Sequence, residues 1–456
     1  MNKATMHRAT FGLLLLALLF SPVADAAPPA LTAFVHVNVV PMDRERVMPD
    51  QTVLVEGERI RAIGTDLAVP PGARVIDGKG AAWLSPGLAD MHIHSETRND
   101  LALYLASGVT TVLHMGGARS GFIDSIVPAV NAGSLPGPHV YASFLVDGTT
   151  DYNGFVIKTP AQARAIVGLA KTNGYDFMKV YVGLSADVFD ALADEGRRQG
   201  MPLVGHGVTA VRLERQLAQG QVLVAHAEEF FYTFFTPPGQ EEPDVPPKPA
   251  RIASAVALAR KYKATVTADL ATYAAIARQI GHPEAVAAFL ARPGIAGLSP
   301  NDRLAWQRSD YVLKTAQLGP KLAFLRLMVK AMADGGVELV TGTDAPAVPG
   351  LLPGISLHDD LDELEASGLT SFQALSAATR NPGAFIARTK GGDPFGVVAP
   401  GFRADLVLSS ENPLTRLSTL RAPIGVMSRG QWRDAAALRA LADDVAQSYR
   451  HASDAR

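Results

Sequence analysis

The stretch that decides the fold is Leu84-Ser85-Pro86-Gly87-Leu88-Ala89-Asp90-Met91-His92-Ile93-His94-Ser95-Glu96. It passes through a Pro-Gly turn into a short apolar run that ends in two histidines. Successive side chains of a strand point to opposite faces, so His92 and His94 share one face and Ile93 takes the other. Two neutral imidazoles on one face make half of a metal site. A His-x-His pair says little alone; its meaning depends on what the rest of the chain places beside it.

Outward from this stretch, both chain ends read as strands. Short β-branched runs occupy 34–40, 52–56 and 59–63, punctuated by Gly57-Glu58 and Pro70-Pro71-Gly72. Runs at 404–408 and 424–428 look similar. The simplest arrangement is one small β-sandwich built from both ends (27–85 and 391–435), with the middle (86–390) inserted and a polar helical tail at 436–456. The middle alternates. Strand-like runs at 109–113, 140–146, 177–182, 202–205, 221–225, 264–268 and 337–341 join the one before His92, giving about eight. Helical stretches lie between them. Thr159-Pro160 opens one through about Lys171, Ser185 opens another to about Gln199, and Thr370 with Gln373 forms a capping box. Repeated strand–helix units mean parallel strands joined by crossovers. Eight of them in roughly 300 residues favour an α/β fold of (β/α)8 barrel type over an open sheet. The Pro-rich, acidic stretch 236–250 reads as a rim or lid, and 293–317 as a long connection after the seventh strand.

The ligand-type residues fall at the carboxyl ends of these strands. His92 and His94 end the first, Lys179 lies on the fourth, His206 follows the fifth, His226 the sixth, and Asp344 the eighth. Barrel active sites are built from such strand ends. Each residue has an ordinary structural reading when taken singly. Six at successive strand ends make a pattern.

The sequence resembles the metal-dependent amidohydrolase superfamily, in its imidazolonepropionase-like and prolidase-like branch (Xaa-Pro or Xaa-Arg dipeptidase type). The resemblance is carried by Pro86 to His94, Gly108-Val109-Thr110-Thr111-Val112, Val204-Gly205-His206, Ala225-His226, Thr341-Gly342-Thr343-Asp344-Ala345, the run from Leu369 to Gly383, and Gly401 to Val407. It covers nearly all of the chain after residue 26. It implies that His92, His94 and Asp344 hold one metal and His206 and His226 a second. Lys179, carboxylated by carbon dioxide to N6-carboxylysine, would bridge the two. It also implies a metal-bridging hydroxide as nucleophile and Asp344 as the proton carrier. Two divalent cations are expected, zinc being the default for a His-rich set. The chain departs from the family pattern at His114-Met115-Gly116-Gly117, where an acidic residue is usual, and at Ala227-Glu228-Glu229, where Gly usually follows the histidine.

The substrate expected from the resemblance is a small-molecule linear amide or dipeptide, with Tyr232 and Arg119 as candidate substrate-binding residues. Phe230, Phe231, Phe234 and Phe235 line a pocket on one reading and pack a core on the other. Arg98 and Lys158 are further candidates for a substrate carboxylate. Esters, lactones, organophosphates and cyclic amides are alternative substrates, and a metal-binding protein without turnover is the non-enzyme alternative.

Composition sets the compartment and the partners. The 456 residues are 48% hydrophobic with a formal net charge of -2, which gives no basis for a nucleic-acid partner. There is no Cys, so thiolate ligands and disulfides are excluded. Lys3 and Arg8, the apolar run 11–20 and Ala24-Asp25-Ala26 read as a secretory signal (1–26), giving an exported, periplasmic or secreted product with no membrane attachment after cleavage. The resemblance also allows a homo-oligomer.

Overall fold

The computed structural model describes residues 31–151 and 154–454. The segment read as a signal lies outside them. Eight parallel strands form the centre: Leu88–Ile93, Val109–His114, His139–Asp147, Phe177–Val180, Leu203–Gly205, Gln221–Val224, Thr265–Thr267 and Glu338–Val340. The first and eighth close the barrel. Met91 N–H donates to the Thr341 carbonyl at 2.9 Å, Asp344 N–H to that of His92 at 2.8 Å, and Ile93 bridges Ala345 in parallel. The strands are short and nearly all buried, as expected where helices cover a parallel sheet.

The helices start where the chain chemistry says they should. Thr159 caps Pro160–Thr172 with Gln162 completing a capping box, Ser185 precedes Ala186–Gln199, and Thr370 with Gln373 caps Ser371–Ala377. The two chain ends form a mixed eight-stranded sheet. Leu31–Val39 pairs with Met48–Glu56 on one side and with Arg74–Asp77 and Trp83–Pro86 on the other, so the sheet branches there. Leu406–Ser409 from the far end pairs antiparallel with Trp83–Pro86. That strand runs on through Gly87 into the first barrel strand. A Cβ on Gly87 would sit 2.2 Å from Thr110 Oγ1, so only glycine passes.

Two expected features take a different form. The 293–317 connection is a packed insert containing the helix Pro300–Gln307, pinned by Trp306 Nε1–H donating to the Pro346 carbonyl at 2.8 Å. The tail is the helix Ala435–Asp454, which buries Leu438 and Val445 and packs on the helix Arg98–Ala106.

Candidate active site

All six expected residues surround one cavity of about 500 Å³ at the carboxyl ends of the strands; five line it and buried His92 lies beneath. His92 Nε2 and His94 Nε2 meet Asp344 Oδ1 at 3.2 and 3.1 Å, and Lys179 Nζ lies 3.4 Å from His92 Nε2. The His92 and His226 rings are 4.2 Å apart and those of His206 and His226 4.9 Å. Backbone and side chains are pressed close here. A Cβ on Gly205 would meet Lys179 Cγ at 2.8 Å, and one on Gly342 would meet His92 Cβ at the same distance.

His94 and His206 each have an acceptor hydrogen-bonded behind the ring, and Asp269 faces Nδ1 of the other two. His94 Nδ1–H donates to the Gly116 carbonyl at 2.9 Å, and His206 Nδ1–H to Glu229 Oε1 at 2.5 Å. His226 Nδ1 lies 2.5 Å and His92 Nδ1 4.0 Å from Asp269 Oδ2. A proton held at Nδ1 leaves the Nε2 lone pair free for a cation. Two sets of three donor atoms lie within 4.8 Å of one another: His92, His94, Asp344 and His92, His226, Asp269. His92 Nδ1, His226 Nδ1 and Asp269 Oδ2 have no hydrogen-bond partner although buried. Imidazole and carboxylate donors left unsatisfied in this way fit divalent cations. The second set contains Asp269 rather than His206.

The fold and the relatives agree with this geometry. No family model matches the chain. The curated imidazolonepropionase of Ralstonia nicotianae (strain ATCC BAA-1114 / GMI1000) is 26% identical over 407 residues, covering 85% of this chain and 93% of that protein. Over most of its length the chain is thus similar to an imidazolonepropionase. Among solved structures, a bottromycin amidohydrolase superposes with a TM-score of 0.71 at 23% identity, covering 93% and 91% of the two chains. A Xaa-Pro dipeptidase with bound methionine in its active site gives 0.65 at 18%, covering 89% and 100%. Both likenesses show a shared fold.

Electrostatics follow from burial. Desolvation holds His92 and His206 well below the usual imidazole range, so both rings are neutral. Burial disfavours the charge on His226, but Asp269 outweighs this and pushes it up to about 10. Burial raises Asp344, yet its close contacts with His92 and His94 dominate and hold its carboxyl well below the usual carboxylate range. Lys179 is 1% exposed and pushed down to about 8 by desolvation. No carboxylate oxygen among the described residues lies within 4.0 Å of its Nζ.

Asp269 and Glu229 escape the sequence reading as site residues. Asp269 is the first charged residue after the seventh strand, an end to which no ligand-type residue was assigned. Glu229 lies in the stretch where the chain departs from the family pattern. It binds the His206 ring with one oxygen and the Gly207 N–H with the other at 2.8 Å. His226, Asp269 and Asp344 all have positive φ, at 74°, 48° and 55°. Such strained backbone at three strand ends is characteristic of functional sites.

The candidate substrate residues are placed differently. Tyr232 lies in the turn Phe231–Phe235 and packs on the hydrophobic core; Tyr181 and Tyr311 line the cavity instead. Phe230, Phe231 and Phe235 are core residues, which favours their packing reading. Arg119 is committed to Glu96, with Nε 2.7 Å from Oε1, while Arg98 and Lys158 are exposed. No residue of 236–250 lines the cavity, and Glu242 ties that loop to Lys321 at 2.7 Å. The 293–317 insert supplies Tyr311 to the wall.

Proposed function

We propose that this amidohydrolase cleaves a linear amide or dipeptide-type C–N bond of a small molecule at two divalent cations, and that it does so after export. The observation that carries the reading is the convergence of four imidazoles, Asp344 and an unpaired, buried Lys179 on one cavity. His92, His94 and Asp344 would hold one cation, and His206 and His226 the other. A buried ammonium among four histidines is unfavourable, and it would repel dications. Carboxylation would resolve this: the neutral amine would add to carbon dioxide with loss of one proton, and the carbamate would replace the cationic head with an anionic donor for the cations. Zinc suits the donor set.

When bound, such cations make water nucleophilic near neutral pH and polarise a carbonyl. The chain supplies the remainder. Glu229 and the Gly116 carbonyl hold protons at Nδ1 of His206 and His94, which fixes those rings. The Asp344 carboxylate, ionised and lining the cavity, accepts the proton from the attacking water and delivers it to the leaving nitrogen. Tyr181, Tyr311 and Val348 wall the substrate from bulk water. The relatives named as imidazolonepropionase and Xaa-Pro dipeptidase support C–N chemistry. Export is supported by the N-terminal pattern of Lys3, Arg8, the apolar run and Ala24-Asp25-Ala26, and N-terminal sequencing of the secreted product tests it.

The test of the centre is elemental analysis of the purified protein beside Lys179→Ala, with a panel of dipeptides and matched esters. About two metals per chain, falling in the variant together with amide hydrolysis, is expected. One metal, unchanged in the variant, would overturn the bridged pair.

A further inference from the structure

Beside the metal cavity lies a second one, of about 730 Å³, which shares His94 and Glu96 with it. Glu96, Asp100 and Asp302 all line it, with Arg119 as the one cation and Tyr449 from the C-terminal helix. Arg119 is spoken for. Its Nε sits 2.7 Å from Glu96 Oε1 and its backbone N–H donates to Glu96 Oε2 at 2.8 Å, so that pair is internally neutral. Asp100 and Asp302 have no Lys or Arg nitrogen within 4.0 Å among the described residues. One Asp302 oxygen accepts from Ser299 Oγ at 2.6 Å. Asp100 is 2% exposed; its Oδ2 completes the cap of its helix on Thr97 N–H, and its Oδ1 is buried with no hydrogen-bond partner.

An acceptor-only oxygen in that position requires a donor. Burial raises Asp100 to about 7, and the Asp302 and Glu96 charges push the same way, so the wall is under like-charge stress that an added cation relieves. A bare metal ion does not fit. No three carboxylate or histidine donor atoms of this cavity lie within 4.8 Å of one another, and the space far exceeds an ion. A primary ammonium fits better. It has three divergent donors for separate oxygens, and its methylene stem can lie on the Tyr449 ring.

We propose that this cavity is a subsite for a primary ammonium group of the substrate, held by Asp100 and Asp302 while the scissile bond lies beside His94. The inference rests on the amide-hydrolase reading of the neighbouring cavity. It also gives that reading a substrate class, because among the described residues lining this second cavity the Lys/Arg side chain, Arg119, is paired with Glu96, whereas acidic groups are in excess.

The test uses metal-loaded protein and dipeptides that differ only in lysine against norleucine, with the variable residue on either side of the scissile bond. Lysine is expected to raise kcat/KM about tenfold at one of the two positions. In Asp302→Asn, checked for unchanged metal content and melting temperature, that preference should fall to about threefold or less. A ratio near one in the parent, or a ratio that survives the substitution, overturns the subsite. If no dipeptide is hydrolysed, the amide reading fails, and calorimetry with lysine amide against norleucine amide decides the subsite independently. Binding tighter by about tenfold and reduced in Asp302→Asn supports it, and equal binding refutes it.

Discussion

His92, His94 and Asp344 hold one another directly, whereas His206 and His226 are held from behind. The first group sits on the seam where the barrel closes. One Asp344 oxygen is within 3.2 Å of both imidazoles, and the backbone of the first and eighth strands is hydrogen-bonded around them. The second group has no such seam. Its rings are set by carboxylates, Glu229 behind His206 and Asp269 behind His226. Closure of the barrel therefore assembles one half of the centre, while dedicated side chains tune the other. Lys179, whose Nζ lies 3.4 Å from His92 Nε2, would be the residue both halves share on the proposed reading.

This contrast can be tested in descending order of effect. Asp344→Asn strikes the seam half and the proton carrier together, so hydrolysis should fall by about a thousandfold or more, measured as kcat on the best dipeptide. Lys179→Ala should remove about one metal per chain and about a hundredfold of activity; retention of both metals would mean the halves share no ligand. Glu229→Gln should weaken one metal by about 10–100-fold in a chelator competition and spare the other, and an equal loss of both would erase the distinction. Asp269→Asn should cost at least as much, because its Oδ2 approaches both His226 and His92.

The smallest effect lies at the acidic cavity. Burial pushes the Asp100 carboxyl up to about 7 from its ordinary 3.8, so folding favours its protonated form. The resulting penalty is absent below the unfolded value, grows as pH rises between the two, and is complete above about 7. Asp100→Asn, which keeps an acceptor for the cap, should therefore raise the melting temperature by about 2–4 °C at pH 8 and by less at pH 5. An equal shift at both pH values would mean the charge on Asp100 is not the cause.

The strand ends were legible because strand, turn and ligand follow one another along the chain, as in the passage from Leu88 to His94. Capping boxes at Thr159 and Thr370 were legible for the same local reason. Asp269 and Glu229 were not, because their partners lie on neighbouring strands and meet them only after the barrel curls. Tyr232 misled because an aromatic cluster after a strand end reads alike whether it turns to the cavity or to the core. Arg119 misled because its partner Glu96 sits on the loop of a different strand. The tail read only as a polar helix, since its composition hides the two buried positions, Leu438 and Val445, and the reach of Tyr449 to the acidic cavity.

The strand Trp83–Pro86 runs directly into the first barrel strand, yet its partner, Leu406–Ser409, comes from the opposite end of the chain. Synthesis proceeds from the N-terminus, so this edge waits for almost the whole polypeptide before it is covered. The same holds for the seam between the first and eighth strands. The centre is thus among the last parts of the molecule to become complete, and a chain cut short near residue 390 would present an unpaired, apolar strand edge of the kind that drives aggregation.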